Sequence, residues 1–116
     1  MSDLLKIRVK EVLRMCPYDV EIEHIKNQLV KKYNPIDIII FGSCVKGRVT
    51  RSSDVDICII LKTKDKRKIV RDILVEVDYQ VDLDVVVYTP QEWQNNKDDQ
   101  ATFAGIINRT GVSLIG

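Results

Sequence analysis

Two stretches of this chain change character halfway along. DVDICIIL (residues 54–61) and VDLDVVVYT (residues 81–89) each begin by alternating acid with aliphatic and end in an unbroken aliphatic run. Short runs rich in β-branched residues form strands, and an unbroken apolar half demands burial within a sheet. IDIIIF, at 36–41, has the same composition and reads as a central strand. Whatever this chain folds into must therefore bury three strands while finding a use for the acids at the head of two of them.

The segments between supply the cover. Residues 2–15 are expected to form a helix, with Ser2 as cap, Leu5, Val9, Val12 and Leu13 on one face, and Pro17 as the stop. Residues 19–33 carry Ile22, Ile25, Leu29 and Tyr33 at helical spacing, and Asn34-Pro35 ends that helix. Ile69, Val70, Ile73, Leu74 and Val77 mark an amphipathic helix over 66–78. Thr89 caps a further helix with Pro90 at its first position, and a last helix is expected over 99–109, stopped by Gly111. VSLI then adds a short edge strand. The fold class is α/β (α+β): a small mixed sheet of three to four strands with helices packed on it. All 116 residues are expected in one domain, with N-terminal helices at 2–33, a core at 36–89 and C-terminal helices at 90–116.

Composition narrows the function classes. The 18 basic and 17 acidic residues leave a net charge of +1, too little for the basic field that non-specific nucleic-acid binding needs. No apolar run is long enough to span a membrane, and the charged N-terminus has no signal-peptide core, so the cytoplasm is expected. Cys16, Cys44 and Cys58 show neither disulfide nor zinc spacing. With His24 as the one histidine, a Ser-His-Asp or zinc-hydrolase site is poorly supplied.

The acids carry the chemistry. In a strand, Asp54 and Asp56 point to the same face, about 6.6 Å apart along the chain. Two carboxylates at the head of a buried strand repel each other and resist desolvation. A divalent cation such as Mg²⁺ resolves both difficulties. Asp82 and Asp84 repeat the pattern. If the two strands are neighbours, one of these acids completes a three-carboxylate site of the kind that holds two metal ions for phosphoryl transfer. Gly42-Ser43, directly after the first strand, exposes backbone N–H groups at a strand-to-helix turn that suit a phosphate. Lys46, Arg48 and Arg51 follow and could neutralise a triphosphate. Each feature alone has a plainer reading as a tight turn, a solvated strand end or an exposed loop. Their order, with eleven positions from Ser43 to Asp54, is what gives them weight. Trp93 and Phe103 read as packing or interface residues rather than base-stacking ones, and KTKDKRK as a solvated turn rather than a nucleic-acid contact.

The stretch FGSCVKGRVTRSSDVDICIIL resembles the signature of the polymerase-β-type nucleotidyltransferase superfamily, in which an aliphatic-Gly-Ser motif precedes an Asp-x-Asp strand. It is most similar to the small members called minimal nucleotidyltransferases, which often pair with a HEPN-domain protein as a toxin–antitoxin system. VDLDVVVYTPQEW and INRTGVSLI extend the resemblance over roughly residues 36–116. The resemblance implies that Gly42 and Ser43 hold the nucleotide phosphates, that Asp54 and Asp56 bind both Mg²⁺ ions, and that Asp84 rather than Asp82 is the third carboxylate. Cys44 and Thr50 stand where family members commonly carry arginine. The implied activity is transfer of a nucleoside monophosphate, AMP from ATP, to a hydroxyl of a protein acceptor such as a HEPN-domain toxin. The chain has room for a catalytic core but not for an acceptor-binding lobe, so either the acceptor brings its own shape or a second chain, in a homodimer or hetero-oligomer, completes the site. The alternatives are an antitoxin module that binds its partner without catalysis, and a small-molecule or tRNA nucleotidyltransferase.

Overall fold

The aliphatic runs do form strands, and the sheet they build is mixed. The computed structural model describes residues 18–46 and 54–115, apart from the side chains of Cys44 and Lys46. The helix expected over 2–15 lies outside the described residues. From Asp19 the order is α1 (Asp19–Tyr33), β1 (Asp37–Phe41), α2 (Ser43–Lys46), β2 (Val55–Ile60), α3 (Lys66–Glu76), β3 (Leu83–Tyr88), α4 (Pro90–Asn96), α5 (Phe103–Thr110) and β4 (Val112–Ser113). The strands lie in the order β3-β2-β1-β4. β1 is antiparallel to both β2 and β4, while β2 and β3 run parallel through the α3 crossover. The architecture is α+β, a four-stranded mixed sheet with helices on both faces.

Period-2 alternation divides the side chains between those faces. Ile38, Ile40, Val55, Ile57, Ile59, Leu83 and Val87 join Ile22, Ile25 and Leu29 of α1 and Ile73 of α3 in one core. Ile39, Cys58 and Ile60 point the other way, against Trp93 of α4 and Ala104 and Ile107 of α5. Burial on both sides is why the runs carry no polar residue in their second halves. Each fully buried isoleucine contributes roughly 1.5–3 kcal/mol, so both helix layers are held firmly to the sheet. No polar or charged residue is buried among those described, and none of their helices is long and apolar enough to cross a membrane.

Local chemistry sets the ends of the elements. α1 stops at Asn34, whose left-handed backbone (φ 46°) lets its N–H reach Val30 O at 3.1 Å. Asp65 caps α3 by accepting from the Lys68 N–H at 3.1 Å. At α4, Thr89 caps with Pro90 following, as the sequence indicates, and Glu92 completes a reciprocal capping box that the sequence reading did not name.

The last helix begins later than expected. Position 99 is not helical, because Asp99 accepts from the Ala101 N–H through its side chain and from the Thr102 hydroxyl through its carbonyl. This local turn outcompetes a helical start. Thr102 then caps α5 by accepting from the Gly105 N–H at 3.0 Å, and the helix starts at Phe103. The third strand also starts late, at Leu83. Asp82 stands just before it and uses its carbonyl to receive the Val55 N–H at 2.8 Å.

Candidate active site

Asp56, Cys58 and Ile60 alternate along β2 and share a face. The cover of α4 and α5 reaches Cys58 and Ile60 but leaves Asp56 only partly buried. Strand register then determines its neighbours. Asp56 is the Cα partner of Phe41 on β1 and of Asp84 on β3. One row, Phe41, Asp56, Asp84, therefore crosses three strands on the face left open beyond α4 and α5. Asp54, at the residue before β2, falls on the same side as Asp56.

The chain turns over this row at Gly42. Its φ of +79° is a conformation that residues with a side chain rarely adopt. A Cβ at this position would fall on Asp56 Oδ2 and lie 3.2 Å from its carboxyl carbon. Glycine thus lets the backbone pass directly above the carboxylate. Ser43 opens α2, a single helical turn in which the Val45 N–H donates to Gly42 O at 3.2 Å. The strand, the Gly-Ser turn and the carboxylates are brought together as expected. Arg48 and Arg51 lie outside the described residues, as does the side chain of Lys46.

The carboxyls make contact through Asp84. A hydrogen bond with Asp84 is the main cause raising Asp54 above the usual carboxylate range, followed by partial desolvation and the charges of Asp84 and Asp82. Asp56 is pushed up to about 6, first by burial, then by the charges of Asp84 and Asp54 and a hydrogen bond with Asp84. Asp84 touches both partners, whereas Asp82 acts on Asp54 through charge alone. Among the described residues no group of three His, Cys, Asp or Glu side chains is arranged so that it could hold a metal ion as it stands. Asp54 and Asp56 each lie close enough to Asp84 to be raised by it.

The chemistry of these donors, rather than their present spacing, suits a hard divalent cation. The set offers only oxygen ligands, its anionic forms are disfavoured by one another, and a positive ion among them relieves that repulsion. A separate open cleft of about 670 Å³, lined by Asp65, Lys66, Arg67, Val70, Arg71 and Val87, opens towards the opposite side of the sheet. It holds no comparable cluster of mutually perturbed acids, so the carboxylate row is the site with chemical potential.

Sequence reading also assigned roles that the structure divides. Trp93 is buried in the α4–α5 core beside Tyr88, as a packing residue. Phe103 is 50% exposed and meets Phe41 edge-on, with ring centroids 5.6 Å apart. Its position beside the carboxylate row was not read from the sequence, since sixty-two positions separate it from Phe41 and only the sheet brings α5 over β1. His24 is a surface residue 3.2 Å from Asp78 Oδ2, remote in role from this site.

Comparison with known proteins supports the same reading. A family model described as Nucleotidyltransferase domain matches residues 22–108, which run from α1 into α5 and include every described candidate site residue. No curated protein and no solved structure matches. Spanning three quarters of the sequence, the family match and the Gly-Ser turn over paired carboxylates agree: this chain belongs to the nucleotidyltransferase domain family, within the polymerase-β superfamily.

Proposed function

We propose that the chain is a cytoplasmic Mg²⁺-dependent adenylyltransferase that moves AMP from ATP to a hydroxyl of a protein acceptor, and serves as the antitoxin beside a HEPN-domain partner. The observation that carries the catalytic part is the meeting of Asp54, Asp56 and Asp84 beneath the Gly42 turn. Nucleotidyl transfer needs a place for a triphosphate next to carboxylates that can hold cations, and the juxtaposition of the Gly42 turn with these acids supports that reading.

In this reading Gly42 and Ser43 present N–H groups and a hydroxyl to the phosphates, with Lys46, Arg48 and Arg51 as counter-charges. Asp54 and Asp56 hold two Mg²⁺ ions, and Asp84 shares in one of them. Bound there, Mg²⁺ neutralises charge on the triphosphate and acidifies the acceptor hydroxyl. Asp84, at the exposed end of the row, takes the hydroxyl proton. The hydroxyl oxygen bonds to the α-phosphorus, the bond to the bridging oxygen breaks, and pyrophosphate leaves.

The second reading is an antitoxin module that binds its partner without catalysis. Cys44 and Thr50, in place of the arginines common in relatives, favour it. One assay separates the two. The protein is incubated with α-labelled ATP, Mg²⁺ and its HEPN-domain neighbour, beside an Asp54→Ala/Asp56→Ala control. Label on the partner with the wild-type chain alone is the expected result. Intact complex formation with no label would leave only the binding module.

A further inference from the structure

We infer that Phe103, backed by Phe41, is the platform on which the nucleobase of the bound nucleotide stacks. This rests on the reading of the carboxylate row as a nucleotide site.

The argument begins with position. Phe41 is the register partner of Asp56 and shares its face, and Gly42 follows it directly. The two ends of the row are chemically different. One ends in Asp84, an exposed acid suited to receive a proton from an acceptor. The other ends in Phe41 and the Gly42-Ser43 turn, which is the phosphate-binding side. A nucleotide whose phosphates lie over that turn has its base on the aromatic side, away from the acceptor.

The second step concerns what is presented there. The Phe41 ring is partly buried, but Phe103 at the first position of α5 is 50% exposed. The two rings meet edge to face, 5.6 Å apart and at 83°. The edge contact fixes the ring plane and leaves a face of Phe103 free for a flat partner. An exposed phenylalanine at a helix start gains little from its own solvation. Held rigid beside a phosphate site, it offers a stacking surface at small entropic cost. Stacking is tolerant of base identity, because every base has a π face. Purines stack over a larger area than pyrimidines, so Phe103 favours ATP or GTP over CTP or UTP without a hydrogen-bonded base pocket.

The test compares a ligand that has a base with one that lacks it. Binding of ATP and of inorganic tripolyphosphate, each with Mg²⁺, is measured by calorimetry for the wild-type chain, Phe103→Ala, Phe103→Leu and Phe103→Tyr. Thermal melts of each variant check that the fold is kept. The expected result is a loss of about tenfold in ATP affinity for the Ala and Leu variants. Phe103→Tyr should retain wild-type affinity, and tripolyphosphate binding should be equal in all four. Equal loss for both ligands would overturn the inference, because it would make Phe103 a support of the phosphate site. Unchanged ATP affinity with slower transfer to the protein acceptor would also overturn it, and assign the ring to acceptor contact. If wild-type chain binds neither ligand, and Asp54→Ala/Asp56→Ala makes no difference, the nucleotide reading itself has failed.

Discussion

At the residue scale the site is a set of charges that the fold makes unfavourable. Asp56 has an ordinary value of 3.8 and stands at about 6 in the folded chain, mainly because of burial. The folded state therefore binds more protons than the unfolded state between these two values. Stability must fall as pH rises from about 4 to about 6, and the penalty persists above that. A shift of this size converts to nearly 3 kcal/mol if taken whole, but Asp56 is only partly buried and solvent screening reduces it to about 1 kcal/mol. Asp56→Asn, measured in chelator, should accordingly be more stable than the wild-type chain by about that amount at pH 8. The advantage should vanish near pH 4. Urea denaturation at a series of pH values checks this, and an advantage that does not depend on pH would show that charge is not its source. On the proposed function the same substitution should abolish nucleotidyl transfer, which would make the position a case of stability given up for function.

At the scale of elements, Glu92 has more to hold than its surface location suggests. One carboxylate oxygen accepts from the Thr89 N–H at 3.0 Å and completes the capping box of α4. The other receives Lys66 Nζ at 2.7 Å. Lys66 begins α3, on the opposite side of the sheet, so this pair ties the two helix layers together around the end of β3. Hydrogen bonds to Lys66 and to the Thr89 backbone lower the Glu92 carboxyl below its ordinary value. Exposed ion pairs contribute little, whereas capping contributes about 1 kcal/mol. Glu92→Ala should cost about 1 kcal/mol in urea denaturation, and Lys66→Ala only a few tenths. If the two cost the same, the ion pair rather than the cap is what matters. The cap at Thr89 with Pro90 after it was legible in the sequence, since both act within one turn, while the part played by Glu92 came from the structure. The start of α5 was not, because both Asp99 and Thr102 can begin a turn there and only Gly105 N–H shows which one caps the helix. Strand faces were legible from alternation. Which of Asp82 and Asp84 meets Asp56 was not legible from alternation, since it depends on the register between strands joined through α3, and only the resemblance pointed to Asp84. Alternation puts Asp82 and Asp84 on the same face, and the structure distinguishes them by placing Leu83 opposite Val55.

At the scale of the molecule, the site lies where the pieces of the fold come together rather than within any one of them. β2 supplies Asp56, the residue before it Asp54, β3 Asp84, and the turn after β1 the proposed phosphate cradle. The α4–α5 layer reaches Phe41 through Phe103 but stops short of the carboxylates, which leaves them open on that sheet face. A cation at the row would bridge β2 to β3 and replace mutual repulsion with attraction, and it has no equivalent site in the unfolded chain. Binding must then raise the melting temperature, by an amount equivalent to about 2.7 kcal/mol at a hundred times the dissociation constant. Asp84 touches both Asp54 and Asp56, whereas Asp82 stands outside β3 with its backbone engaged by Val55. Mg²⁺ with a nucleoside triphosphate should therefore stabilise the wild-type chain and Asp82→Asn alike, and stabilise Asp84→Asn far less. Thermal melts with and without Mg²⁺, at constant ionic strength, make the comparison. Equal stabilisation of Asp84→Asn would move the third ligand to Asp82 and mean that the contact among the three carboxyls is not the one that holds the ion.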